Sequence, residues 1–221
     1  MDIKLSYIEK GSGEPLILIH GNGEDHKIFK AQIAEFSKDY HVYAVDTRGH
    51  GASPRGSKPF TITQFADDLA DFMDDLNIEK AHILGFSDGA NVAMVFAVKY
   101  PQKVDKLILN SGNFAVSGLK DYFLIPCKMR RSAAAKKGSK AKVEMLDLML
   151  CDLDVNADDL ATITAPTLVI AGTRDLIKAS HTRLIAGSIA NSQLRFISGN
   201  HAVVYLRHAN FNEIVLEFLK G

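Results

Sequence analysis

Gly85-Phe86-Ser87-Asp88-Gly89 sets a serine two positions from a glycine on either side. A serine hydroxyl becomes a useful nucleophile only when a base takes its proton and nearby donors stabilise the oxyanion it creates. The pattern G-x-S-x-G suits that task. It places the serine in a sharp turn between a strand and a helix, where neighbours two residues away cannot carry bulk. An apolar run ends at Gly85, and a helix-like pattern starts directly after Ser87. That helix would aim N–H groups and its positive dipole end at the site. Alone, the five residues read equally as a glycine-rich turn whose serine caps a helix.

Three other segments could supply what Ser87 lacks. His20-Gly21-Asn22-Gly23 follows the apolar run Leu16 to Ile19, and glycine there allows a backbone N–H, that of Asn22, to face the site. The N–H of Asp88 would be the second donor of an oxyanion hole, where one donor is typically worth about 3–4 kcal/mol. Thr167 to Ala171 reads as a strand, and Asp175 follows it after a glycine turn, placed to orient an imidazole; it could equally cap the next helix or pair with Arg174. Gln193 to Ile197 is a further strand, and His201 follows it after Ser198-Gly199-Asn200, in the position of a general base. Asp175 and His201 would lie on the rim where ligands bind in such sheets. The chain order is Ser87, Asp175, His201. His20 reads as a brace between loops, and His181 and His208 as surface or packing residues in helices. No pair of histidines has a convincing metal spacing.

The elements needed to hold these residues are legible. Short β-branched runs occur also at His41 to Val45, Ala81 to Leu84 and Lys106 to Leu109. Leu16 to Ile19 is almost wholly apolar, as in a strand buried on both faces. Lys4 to Glu9 and Pro15 to His20 flank Gly11-Ser12-Gly13 and suggest an opening hairpin-like pair. Phe65, Leu69, Phe72, Met73 and Leu76 recur at helical spacing, with Asp67, Asp68, Asp71, Asp74 and Asp75 on the other side. Alternating strands and helices predict an α/β fold with a mainly parallel sheet and helices on both faces. From about Phe114 to Leu160 strand signals stop and a helical insertion is expected. The division that follows is a core of residues 1–112 and 161–221 with a small cap at 113–160.

Together these features resemble the α/β-hydrolase superfamily over nearly the whole chain. The resemblance rests on the strand before "HGNG", "DTRGHGAS" at Asp46 to Ser53, the elbow "GFSDG", "PTLVIAGTRD" at Pro166 to Asp175, and "GNHAVV" at Gly199 to Val204. "DTRGHG" is typical of the esterase-, lactonase- and peroxidase-like branches, in which Arg48 and His50 brace loops. The resemblance implies Ser87 as nucleophile, Asp175 as acid, His201 as base, and the N–H groups of Asn22 and Asp88 as oxyanion hole. It implies acyl transfer from an ester, lactone or thioester to water, with no cofactor and no metal. A serine at the elbow argues against the dehalogenase and epoxide hydrolase branches, whose nucleophile is an aspartate. A cofactor-free haloperoxidase, a carbon–carbon hydrolase, a lyase, or a ligand-binding receptor with a retained triad are the alternatives. Two departures stand out: the cap is short, which predicts a shallow or open pocket, and the acid often found before the histidine is Asn200.

Phe86, Phe114, Met145, Met149 and Ile177 are candidate pocket residues, though the aromatics and methionines of the cap, including Tyr122, Phe123 and Met129, could instead pack it onto the core. The basic run of Lys128, Arg130, Arg131, Lys136, Lys137, Lys140 and Lys142 reads as a solvated helix face or as an anion-attracting cap. The resemblance implies a small-molecule substrate as the partner. The chain has 221 residues, 26 basic against 26 acidic, so charge argues for neither nucleic acid nor an acidic membrane. No apolar stretch approaches the roughly eighteen residues of a membrane span, and Met1-Asp2-Ile3-Lys4-Leu5 does not read as the basic start and apolar run expected of a signal segment. Cys127 and Cys151 lack metal spacing; they could pair, but they read rather as two free thiols in a reducing compartment, with the cytoplasm as the default. The sequence leaves the oligomeric state open.

Overall fold

The computed structural model describes residues 2–221. One sheet contains seven strands: β1 (Tyr7–Lys10), β2 (Pro15–Ile19), β3 (His41–Val45), β4 (Ala81–Phe86), β5 (Val104–Asn110), β6 (Thr167–Gly172) and β7 (Ser192–Ile197). Their order is β1-β3-β2-β4-β5-β6-β7, and every pairing is parallel except that of β1 with β3. The helices are α1 (Lys30–Phe36), α2 (Ile62–Asp75), α3 (Asp88–Lys99), α4 (Asp121–Lys136), α5 (Lys140–Leu150), α6 (Ala157–Leu160), α7 (Ala179–Ser188), α8 (Val203–Leu206) and α9 (His208–Lys220). None of them is long and apolar enough to cross a membrane.

The expected opening hairpin does not form. β1 pairs antiparallel with β3, Tyr7 opposite Val45, and β3 separates it from β2. The reason is burial. Leu16 to Ile19 are almost wholly excluded from solvent and need a neighbour on each side, which β3 and β4 provide. The polar strand Tyr7–Lys10 is suited only to an edge.

Strand periodicity divides the core. Ile17, Ile19, Ile83, Leu109 and Val169 face one side of the sheet, against Phe65, Leu69 and Met73 of α2 and Val92 and Phe96 of α3. Leu16, Leu18, Leu84, Ile108 and Ile170 face the other, against Phe29, Phe36 of α1, and Phe211 and Val215 of α9. Each such side chain contributes roughly 1.5–3 kcal/mol by leaving water.

Helix α2 begins where Thr61 accepts the Gln64 N–H at 3.1 Å. Its apolar stripe packs inward as the spacing predicts, but Asp68 does not share the solvated acidic face. It is buried against the fully buried Arg48, whose Nε and Nη2 donate to its two oxygens at 2.7 and 2.6 Å. Arg48 Nη1 donates in addition to Asp2 and to the Arg55 carbonyl. The acid appears among solvated neighbours by spacing alone because its partner lies twenty residues away in a loop.

Between β5 and β6 the chain forms α4, α5 and α6 and no strand. Cys127, Ala134 and Leu146 make a small apolar cluster between α4 and α5, while Leu148, Val155 and Leu160 join the core under α2 and α3. Both cysteines are free thiols.

Candidate active site

Ser87 sits where β4 hands over to α3, with φ 54° and ψ −120°. That conformation is costly for a residue with a side chain and persists only when its surroundings enforce it. They do so here through backbone: the Ser87 N–H donates to the Asn110 carbonyl at 2.8 Å, and its carbonyl accepts from Ala90 N–H at 2.9 Å. A Cβ on Gly85 would collide with the Gly89 carbonyl, and one on Gly89 with the Ile19 carbonyl. Both glycines are therefore required for the turn to close on β2.

Asp175 leaves the end of β6 and His201 follows β7, so three different strand ends converge. His201 Nδ1 donates to Asp175 Oδ1 at 2.7 Å. With the proton on that nitrogen, Nε2 accepts from the Ser87 hydroxyl at 3.0 Å. Asp175 is buried, which pushes its carboxyl pKa up, but the His201 hydrogen bond and charge, the Ser111 hydroxyl and the Ile177 N–H together hold it below the usual range. Ser111 Oγ donates to Oδ2 at 2.6 Å, and Gly172 N–H to the same oxygen at 3.2 Å. Asn200 accepts from Ala202 N–H at 3.0 Å and shapes the turn that presents the histidine.

The backbone N–H groups of Asn22 and Asp88 engage no acceptor among the described residues. Their side chains are joined: Asn22 Nδ2 donates to Asp88 Oδ2 at 2.8 Å and to the Met145 carbonyl of α5 at 2.9 Å. Asn91 donates to Asp88 Oδ1 at 3.2 Å and accepts the Asn113 N–H at 2.7 Å. Burial raises the Asp88 pKa.

His20 is buried behind this loop. Nδ1–H donates to the Gly21 carbonyl at 2.7 Å, and Nε2 accepts from Thr47 N–H at 3.1 Å. Burial depresses its pKa to about 4, so it stays neutral as a brace. His50 lies edge-on to it, its pKa also lowered by burial.

Over Ser87 lies a cavity of about 170 Å³. Phe86, Met149 and Ile177 line it, as do Phe123, Leu119, Leu176, Asn113, Glu24 and Tyr205. Phe114 and Met145 do not. Phe114 turns into the core, its ring tilted against that of His181 with centroids 4.5 Å apart and its N–H donating to His181 Nε2 at 3.2 Å. Met145 packs its side chain on the core and offers Asn22 only its carbonyl. Helical spacing does not say which way a cap residue points before the cap is docked. Ser111, Glu24 and Tyr205 belong to no motif; only their position just beyond a strand end or beside the proposed loops could have drawn attention. The basic side chains of 128–142 line no part of this cavity; most are exposed, and Arg131 pairs with Asp147 at 2.8 Å. A larger cleft of about 360 Å³ between α2 and α5 contains none of Ser87, Asp175 and His201.

A strained serine at a strand–helix turn, with a histidine and a carboxylate from two later strands, is the frame of one large class of proteins. The chain belongs to the alpha/beta hydrolase fold family, whose model matches residues 14–130. It is 38% identical over 101 residues to an uncharacterized Mycobacterium tuberculosis protein, a match covering 46% of this chain and 30% of that one. It is 34% identical over 106 residues to the (E)-2-((N-methylformamido)methylene)succinate hydrolase of Acinetobacter baylyi, covering 48% of this chain and 40% of the relative. The chain thus spans less than half the length of these relatives. Over 98% of its length it superimposes on the solved N-acyl homoserine lactone degrading enzyme Est816, covering 97% of that chain with a TM-score of 0.81 and 26% identity.

Proposed function

We propose that this chain is a serine hydrolase that cleaves a small-molecule ester, lactone or thioester through an acyl-enzyme. The single observation that carries the reading is the line Ser87 Oγ, His201 Nε2 and Nδ1, Asp175 Oδ1, with separations of 3.0 and 2.7 Å, at a backbone held in a strained turn.

In the first half-reaction His201 Nε2 takes the Ser87 proton as Oγ bonds to the carbonyl carbon. The carbonyl oxygen becomes an oxyanion facing the N–H groups of Asn22 and Asp88. Asp175 keeps the Nδ1 tautomer and stabilises the imidazolium. The imidazolium then protonates the leaving group as its bond to carbon breaks. In the second half, His201 takes a proton from water, hydroxide adds to the acyl carbon, and the proton returns to Ser87 Oγ as the carboxylic acid departs. Leu119, Leu176, Ile177 and Met149 give the acyl chain apolar contact, and the cavity volume suits a short one. Lactone-degrading Est816 and the succinate hydrolase support carbonyl hydrolysis as the reaction class. The free thiols of Cys127 and Cys151 support a reducing cytoplasm as its compartment.

A panel of p-nitrophenyl esters of rising chain length, together with lactones, tests the proposal. Multiple turnover that disappears in Ser87→Ala is the expected result. Tight binding of a small ligand without turnover would identify a receptor instead.

A further inference from the structure

The cavity over Ser87 is lined by a carboxyl group that the proposed reaction does not use. Glu24 lines it, half-buried, on the loop that follows β2. Its Oε2 accepts the Gly21 N–H at 3.1 Å, which fixes where the carboxyl group lies. A Cβ built on Gly21 would stand 2.7 Å from that oxygen and 3.1 Å from Ser87 Cβ, so the carboxyl group and the nucleophile share the space above one glycine. No lysine or arginine lines the cavity. Lys120, on the segment leading into α4, donates its ammonium to the Asp175 carbonyl at 2.6 Å. The basic residues of α4 and α5 do not line it, and the second acid in the lining, Asp88, is satisfied by Asn22 and Asn91.

We propose that Glu24 is a specificity-determining residue that selects substrates bearing a positive charge near the scissile carbonyl and disfavours those bearing a second carboxylate. The inference rests on the hydrolase reading and names its substrate class. Its physical basis is Coulombic. A carboxylate a few ångströms from the acyl chain, in a site partly shielded from water, repels a like charge more strongly than bulk water would allow. It attracts an ammonium group by the same amount. Specificity of this kind lies as much in what is rejected as in what is bound. The alternative reading of the basic run as an anion-attracting cap would give the opposite preference, but none of its side chains lines the cavity.

The test uses three p-nitrophenyl esters with acyl chains of equal length, ending in a trimethylammonium, a tert-butyl or a carboxylate group. For the wild-type protein, kcat/KM should be about tenfold or more higher for the cationic ester than for the anionic one, as ~1.4 kcal/mol of charge discrimination requires. Rising sodium chloride should narrow that ratio by screening. Glu24→Gln keeps an acceptor for the Gly21 N–H and should lower the ratio about tenfold. A ratio that Glu24→Gln leaves unchanged, or a wild-type preference for the carboxylate ester, overturns the inference while leaving the hydrolase intact. If Glu24→Gln fails to fold, the wild-type ratio and its salt dependence decide. If no ester turns over and a fluorophosphonate does not label Ser87, the hydrolase reading fails and takes this inference with it.

Discussion

The carboxamide of Asn22 reaches Asp88 Oδ2 at 2.8 Å, so the two residues proposed to offer oxyanion-hole N–H groups are tied together through their side chains. The same nitrogen reaches the Met145 carbonyl at 2.9 Å and so ties both to helix α5. Replacing Asn22 with alanine keeps its backbone N–H but removes both ties. We predict a fall in kcat of about tenfold to a hundredfold with a smaller change in KM, because a misplaced donor weakens the transition state more than the ground state. Steady-state kinetics on one ester checks this; an unchanged kcat would mean that the loop backbone holds the donors unaided.

Ser111 is the less visible partner in the site. Its hydroxyl holds Asp175 Oδ2 at 2.6 Å while His201 holds Oδ1. Ser111 has φ 58°, so alanine, which is not β-branched, is the cleanest replacement. Loss of a hydrogen bond to a charged group, about 1.5 kcal/mol, should lower kcat/KM about tenfold. The fold should persist, as read by circular dichroism, because Asp175 keeps its two backbone donors.

Arg48 should matter to stability rather than to turnover. Removing its guanidinium strands the buried Asp68 carboxylate, so Arg48→Met should cost about 3–5 kcal/mol. Urea denaturation measures it. A loss below about 1 kcal/mol would show that Asp68 finds solvent or another donor, Gln64 being the nearest.

Acid should weaken the fold through its buried histidines before it does so through the carboxylates. His20 has a pKa of about 4 in the folded chain against 6.5 when free. Protons therefore bind the unfolded chain first, and the stability held above pH 6.5 is lost as pH falls towards 4. Up to ~3 kcal/mol is at stake for His20 alone. His50 and His181 shift the same way through burial. Asp175 and Asp46, with lowered pKa values, contribute only below about pH 4. Urea midpoints taken near pH 7.5 and near pH 5 should differ, and by less in His20→Gln.

The strand ends were legible because each carries a local signature: β-branched runs, a glycine turn, then one polar residue. That is why Ser87, Asp175 and His201, far apart in the chain, could be named before their distances were known. The antiparallel pairing of β1 with β3 was not legible, because a turn signal such as Gly11-Ser12-Gly13 marks a change of direction and not the strand that receives it. Asp68 looked solvated because helical spacing records faces, not the loop arginine packed against one of them. Phe114 and Met145 were misplaced for a related reason: side-chain direction in the cap is set by docking on the core. Ser111 and Glu24 are placed beside the site by hydrogen bonds to Asp175 and Gly21 that leave no trace in spacing.

The central claim is that Ser87 is an activated nucleophile. Intact-protein mass spectrometry after exposure to a fluorophosphonate tests it without knowledge of the substrate. The account predicts a single covalent adduct on the wild-type protein, mapped to the peptide containing Ser87 and absent from Ser87→Ala. A folded wild-type protein that acquires no adduct, or a Ser87→Ala protein that acquires the same one, would contradict it.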